Sequence, residues 1–170
     1  ASPLPVHRRD IRYAVGACAA LAMIVVGAVA LVTAGAALPL PFVPVLNPVD
    51  LLLVAVFLFV ARALSDEAMP GEVRLARPAV LAALFFVAAT SMTLRGVHHL
   101  GGVPWDGAMA GSSLAELSLT VVWSAIGVVA WVLGSKRGQR LLWLAGAVTM
   151  ALVLLKLLLV DRAHLGNLFG

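Results

Sequence analysis

The chain reads as an all-α integral membrane helical bundle of five transmembrane helices, with the N-terminus cytoplasmic and the C-terminus extracytoplasmic. Three observations predict this class. Of 170 residues, 62% are hydrophobic, against roughly 45–50% in soluble domains. Only 12% are charged, too few to coat a water-facing surface. The bases then alternate between the gaps that separate five apolar stretches. Arg8, Arg9 and Arg12 precede the first stretch, Arg62, Arg74 and Arg77 fall between the second and third, and Lys136, Arg137 and Arg140 between the fourth and fifth. That is the positive-inside pattern. Arg95, Lys156 and Arg162 fall at or near the opposite ends.

The whole chain, 1–170, reads as one transmembrane domain and as a piece of a longer many-span protein. Its first span covers about 13–34, long enough at about 1.5 Å per residue to cross roughly 30 Å of hydrocarbon. It is rich in small residues, including Ala14, Gly16, Cys18, Ala19, Gly27 and Ala30, which let another helix approach closely. Cys18 is the single cysteine, makes no internal disulfide, and is expected to pack as a small residue. The start, Ala-Ser-Pro-Leu-Pro, lacks the basic-then-apolar order of a signal peptide.

Pro39, Pro41 and Pro44 break residues 35–47 into an apolar extended segment at the outer face. The second span, 48–64, opens on Asn47-Pro48-Val49-Asp50. Asn47 suits the cap, Pro48 the first helical position, and Asp50 the positive end of the helix dipole. Residues 65–77 carry Asp66, Glu67, Glu72, Arg74 and Arg77 and are expected as a solvated loop. The third span covers about 78–98, followed by an outer loop with Pro104, Trp105 and Asp106. The fourth covers 113–134 and the fifth 141–161, joined by a tight Ser-Lys-Arg-Gly-Gln-Arg turn. Tyr13, Trp131 and Trp143 would sit near the inner interface, as an aromatic belt requires.

With this topology the polar residues without a routine loop role gather at the outer side: Asp50, Arg95, His98, His99, Asp106, Glu116, Lys156, Asp161, Arg162 and His164. Six of them, Arg95, His98, His99, Glu116, Lys156 and Asp161, are candidate ligand-binding residues. Arg95, His98 and His99 share one helical face, with Ser91 extending it inward. Such a face can hold an anion, with Arg as a bidentate clamp and His as a proton donor. It can equally be a helix end whose bases complement terminal carbonyls. Adjacent His98 and His99 point about 100° apart, poor geometry for a shared metal, and no cofactor is expected.

Ser113-Leu114-Ala115-Glu116 fits a capping box at the start of the fourth span, while Ser113, Glu116, Thr120 and Trp123 also form a polar stripe. Lys156 would cost roughly 2.5–3.5 kcal/mol at a helix centre. It lies five residues before Asp161, within snorkelling reach of the helix end. Pairing with Glu116 or Asp50 on a neighbouring helix would offset its burial.

Six ordered stretches carry a resemblance. They are Leu46-Asn-Pro-Val-Asp-Leu51, Arg95-Gly-Val-His-His-Leu100 with Val103-Pro-Trp-Asp106, Leu119-Thr-Val-Val-Trp-Ser124, Gly134-Ser-Lys-Arg-Gly-Gln-Arg140, Leu142-Trp-Leu-Ala-Gly146 and Leu155-Lys-Leu-Leu-Leu-Val-Asp161. Together the chain resembles the C-terminal portion of a bacterial family of predicted polytopic membrane proteins, domain of unknown function 2339. The resemblance implies a many-span protein that continues past Gly170, and it brings no established activity. The family pattern favours an amide at Glu116, which counts against a general base there.

Three functions fit. The first is a non-enzymatic envelope component of the bacterial inner membrane that binds or conducts an anionic or lipid-linked molecule at its outer face. The second is a membrane-embedded transferase on a lipid-linked substrate, with His98 or Glu116 as base and Arg95 or Lys156 as phosphate clamp. The third is a structural helix-packing module in which these polar groups satisfy one another. The expected partners are the lipid bilayer and further spans of the same protein or a larger complex. No basic cluster interleaved with aromatics points to nucleic acid.

Overall fold

The computed structural model describes residues 5–35, 41–65, 69 and 71–165, with the side chains of 5–9, 12, 110 and 160–165 outside the description. Among these residues five α-helices follow in order: α1 Pro5–Val32, α2 Pro48–Ala63, α3 Gly71–Gly101, α4 Ser113–Arg137 and α5 Arg140–Leu165. A single 3-10 turn, Met109–Gly111, precedes α4, and no strand occurs among the described residues. Four helical segments are long and apolar enough to cross a membrane: Tyr13–Val32, Gly71–Gly101, Ser113–Arg137 and Arg140–Leu159. At 16 residues α2 is shorter, about 24 Å against roughly 30 Å of hydrocarbon. Many large apolar side chains are exposed along these helices, among them Leu21, Ile24, Leu58 and Leu158. In water that surface would drive aggregation; in lipid it is the solvated face.

The chain forms two compact units, residues 1–106 and 107–170. In the first, α1, α2 and α3 pack on one another. The end of α1 meets the start of α2 and the end of α3, since Ala30, Asp50 and Arg95 lie together, so the three helices run up, down and up. Their apolar core is Ala19 of α1, Val56, Val60 and Leu64 of α2 and its end, and Leu84 of α3. Small residues on α1 make the contact close: Ala19, Gly27 and Ala30 are buried on it. Cys18 does not join them. It is exposed, one position round the helix from the packed face.

Asn47 caps α2 as its spacing predicts. Its Oδ1 accepts from the backbone N–H of Val49 at 3.1 Å and of Asp50 at 3.0 Å, and Pro48 follows at the first turn. The expected loop over 65–77 is shorter than its charges suggest. α3 begins at Gly71, so Glu72, Arg74 and Arg77 are helical and Pro78 lies inside the helix. Seven residues of continuous helix-compatible sequence precede Pro78, which needs no N–H partner of its own. A solvated helical turn satisfies those charges as well as a loop does.

The second unit is a hairpin of α4 and α5. Glycine permits the close approach: a Cβ on Gly134 would stand 2.3 Å from the backbone nitrogen of Trp143, and one on Gly146 2.4 Å from that of Trp131. The tight turn closes on Gly138, whose φ of +63° is left-handed, with the Gln139 N–H donating to the Gly134 carbonyl at 2.9 Å. The N-cap of α4 is Ser112 rather than Ser113. Ser112 Oγ accepts from the Ala115 N–H at 3.1 Å, which places Glu116 one position past the capping-box register.

Candidate functional site

In the first unit the polar side chains of α2 and α3 converge on the carbonyl end of α1. The last carbonyls of any helix lack intrahelical donors, and in hydrocarbon no water replaces them. Here the carbonyls of Ala30 and Val32, and of Ala34 just past the helix, find side-chain donors. The Ala30 carbonyl accepts from Ser91 Oγ at 2.6 Å and from Arg95 Nη1 at 2.7 Å. The Val32 carbonyl accepts from Trp105 Nε1 at 3.0 Å, and that of Ala34 from His99 Nε2 at 2.8 Å. Ser91, Arg95 and His99 are four residues apart, so one face of α3 supplies three of the four donors. A carbonyl only accepts, so His99 carries its proton on Nε2. The positive Arg95 also sits at the negative end of the α1 dipole.

Arg95 is completely buried, and so is its partner Asp50. Arg95 Nη2 donates to Asp50 Oδ1, closing the ion pair. Asp50 Oδ2 accepts from Asn47 Nδ2 and from the Val45 N–H at 3.1 Å. Asp50 thus receives three hydrogen bonds, which offset its removal from water. Arg95 Nε is buried without a partner among the described residues. The approach to α2 is held in an unusual shape around this pair. Val45 has φ +71°, a left-handed conformation that costs a β-branched residue roughly 1–3 kcal/mol, and its N–H is the one Asp50 binds. Gly35 has φ +69° and packs against Arg95, where a Cβ would come within 2.7 Å of Arg95 Cδ.

His98 turns away from this cluster. Its Nδ1 donates to the Val103 carbonyl at 2.6 Å, and its ring meets Trp105 edge-on at 5.8 Å. His99 stacks on Phe42 at 4.2 Å, which ties the segment before α2 to the end of α3. The two histidines therefore serve different neighbours, as the 100° between them requires. Among the described residues no group of three His, Cys, Asp or Glu side chains is placed to hold a metal.

In the second unit, Lys156 of α5 reaches α4. Its Nζ donates to the Glu116 carbonyl at 2.7 Å and to Thr120 Oγ1 at 3.0 Å, while Thr120 Oγ1 itself donates to the Glu116 carbonyl at 2.7 Å. The expected partner residue, Glu116, is engaged through its backbone and not through its carboxylate. Asp50, the other expected partner of Lys156, is taken by Arg95. The Asp161 side chain lies outside the described residues.

By sequence Arg95, His98 and His99 share one face, while Asp50 is placed at the start of α2 or against Lys156; neither the Arg95–Asp50 pair, nor Asn47 as a donor to Asp50, nor the packing of Gly35 on Arg95 is foreseen. One signal was available: a lone acid and a lone base embedded at the same end of apolar stretches are expected to pair.

Among the described residues, five helices, four of them with segments able to cross a membrane, apolar side chains exposed along them and one ion pair sealed within, define a multi-pass helical membrane protein. The chain belongs to the family described as predicted membrane protein (DUF2339), which matches residues 2–170. No curated protein and no solved structure matches it.

Proposed function

We propose that the chain is a non-enzymatic, structural module of a bacterial cytoplasmic-membrane assembly, in which the outer polar residues hold the spans together. One observation carries this reading: the carbonyls of Ala30, Val32 and Ala34, at and just past the end of α1, are taken by Ser91, Arg95, Trp105 and His99. Groups suited to clamping a ligand are engaged in closing the bundle. The orientation follows from the bases: N-terminus in the cytoplasm, five spans counting the short α2, and C-terminus outside. The α2 helix runs from the carbonyl end of α1, where Asp50 meets Arg95, back to the level of Ile11 and Val15, which line one cavity with Phe59 and Arg62; that course supports counting it as a span.

A substituted-cysteine scan in a Cys18→Ser background tests both parts. Cysteine at Asp106 should react with a membrane-impermeant maleimide in intact cells, and cysteine at Glu72 or Lys136 only after lysis. Labelling of Glu72→Cys in intact cells would reverse the orientation. For the structural role, Arg95→Ala should lower folding stability and membrane abundance together. Loss of a cellular phenotype with abundance unchanged would favour a binding role instead.

A second reading, an anionic or lipid-linked molecule held at the outer face, draws support from Lys156. Its charge meets only the neutral oxygens of Glu116 and Thr120, and among the described residues it has no carboxylate partner. An anionic group would complement it. A transferase reading has less support, because its phosphate clamp, Arg95, is closed by Asp50.

A further inference from the structure

At the opposite end of the first unit from Arg95, α1 and α2 flank an open-sided cavity of about 600 Å³. That volume lies within the roughly 300–1,000 Å³ typical of ligand pockets, which are mostly apolar with a few placed polar groups. Ile11 and Val15 of α1, Phe59 of α2 and Met69 line it. Arg62 supplies the cation, and Ser65 lies beside it. Ser65 Oγ already donates to the Ala61 carbonyl, so Arg62 is the lining side chain left to donate to an anion. Arg62 is exposed and makes no ion pair among the described residues. Ile11, Val15 and Phe59 each expose more than a third of their surface, so the cavity opens onto the lipid-facing side of the helices.

We propose that this cavity holds one anionic phospholipid, with an acyl chain along Ile11, Val15 and Phe59 and its phosphate on the Arg62 guanidinium. An apolar channel leading to a single cation matches the two halves of such a molecule. A free anion would satisfy Arg62 and leave the apolar walls uncovered. A zwitterionic lipid would bring its own cation beside Arg62. That the lipid comes from the cytoplasmic leaflet rests on the orientation proposed above. The maleimide labelling of Glu72→Cys reads that orientation separately and has no bearing on lipid retention.

The test uses the full chain reconstituted with equal phosphatidylglycerol and phosphatidylcholine, released into mild detergent, with retained lipids counted by native mass spectrometry. The wild type should keep one phosphatidylglycerol in preference to phosphatidylcholine. Arg62→Gln should lower that preference roughly fivefold, the effect of one base near an anionic surface. Arg62→Lys should keep most of it, and Arg74→Gln, an exposed base on α3, should leave it unchanged. Val15→Trp, which fills the cavity, should reduce retention of both lipids. Equal retention of the two lipids by the wild type, an unchanged preference in Arg62→Gln, or displacement of the lipid by inorganic phosphate would overturn the proposal.

Discussion

The guanidinium of Arg95 and the carboxylate of Asp50 form an ion pair from which solvent is excluded on both sides. The two residues lie on different helices, 45 positions apart, and the pair stands against the carbonyl end of a third. Three helices therefore depend on one contact. Breaking a buried pair by removing one partner leaves the other charge unpaired and costs roughly 3–5 kcal/mol. Arg95→Ala and Asp50→Ala should each lose stability on that scale in SDS-induced unfolding from mixed micelles. The double variant Asp50→Leu/Arg95→Met should recover part of it. If the double variant loses the sum of the two singles, the pairing is not the source of the effect.

Gly35 is expected to tolerate no side chain. An Ala there meets Arg95 Cδ and must also hold φ at +69°, a left-handed conformation that costs roughly 1–2 kcal/mol by itself. Gly35→Ala should lower the unfolding midpoint. Gly107→Ala, with open space around its Cβ, should leave it unchanged.

The hairpin of α4 and α5 makes a parallel prediction in the second unit. A Cβ on Gly134 or Gly146 falls on the facing backbone, where no flexible side chain can give way. Gly146→Val should force the helices apart and cost roughly 1–3 kcal/mol, the usual penalty of overpacking. The same measurement on Gly111→Val, whose Cβ meets nothing, provides the comparison.

Lys156 separates the two functional readings. Its two hydrogen bonds are to neutral oxygens, so replacing it removes a desolvated charge along with those bonds. Lys156→Met should change stability by no more than about 1 kcal/mol. Thr120→Val, which removes one acceptor and leaves the charge in place, should be the more destabilising of the two. A phenotype of Lys156→Met at normal abundance would point to a bound anion.

Much of the architecture was legible in the residues. The start of α2 was readable because capping is local: Asn47, Pro48 and Asp50 act within one turn. The start of α3 was not. Charges mark solvent, and an exposed helical turn at Gly71–Arg77 is as well solvated as a loop. Ser112 and Ser113 offer the same hydroxyl at the start of α4, and the choice between them depends on where the preceding 3-10 turn ends. The candidate site was half visible. The face of Ser91, Arg95 and His99 follows from helical periodicity, but what it faces does not.

The sequence alone determined that this is a helical membrane protein and roughly where its apolar helices run. Those conclusions rest on composition and on periodicity along the chain, which local physics reads directly. Only the tertiary structure decided that Arg95 belongs to Asp50 and to the carbonyls of α1, and Lys156 to the backbone of α4. The reason is the solvent. Hydrocarbon offers no hydrogen bonds, so a buried charge that its own helix cannot satisfy must find its partner elsewhere in the protein. Which partner it finds depends on how closely those helices pack, and here small residues at Gly35, Gly134 and Gly146 permit the approach.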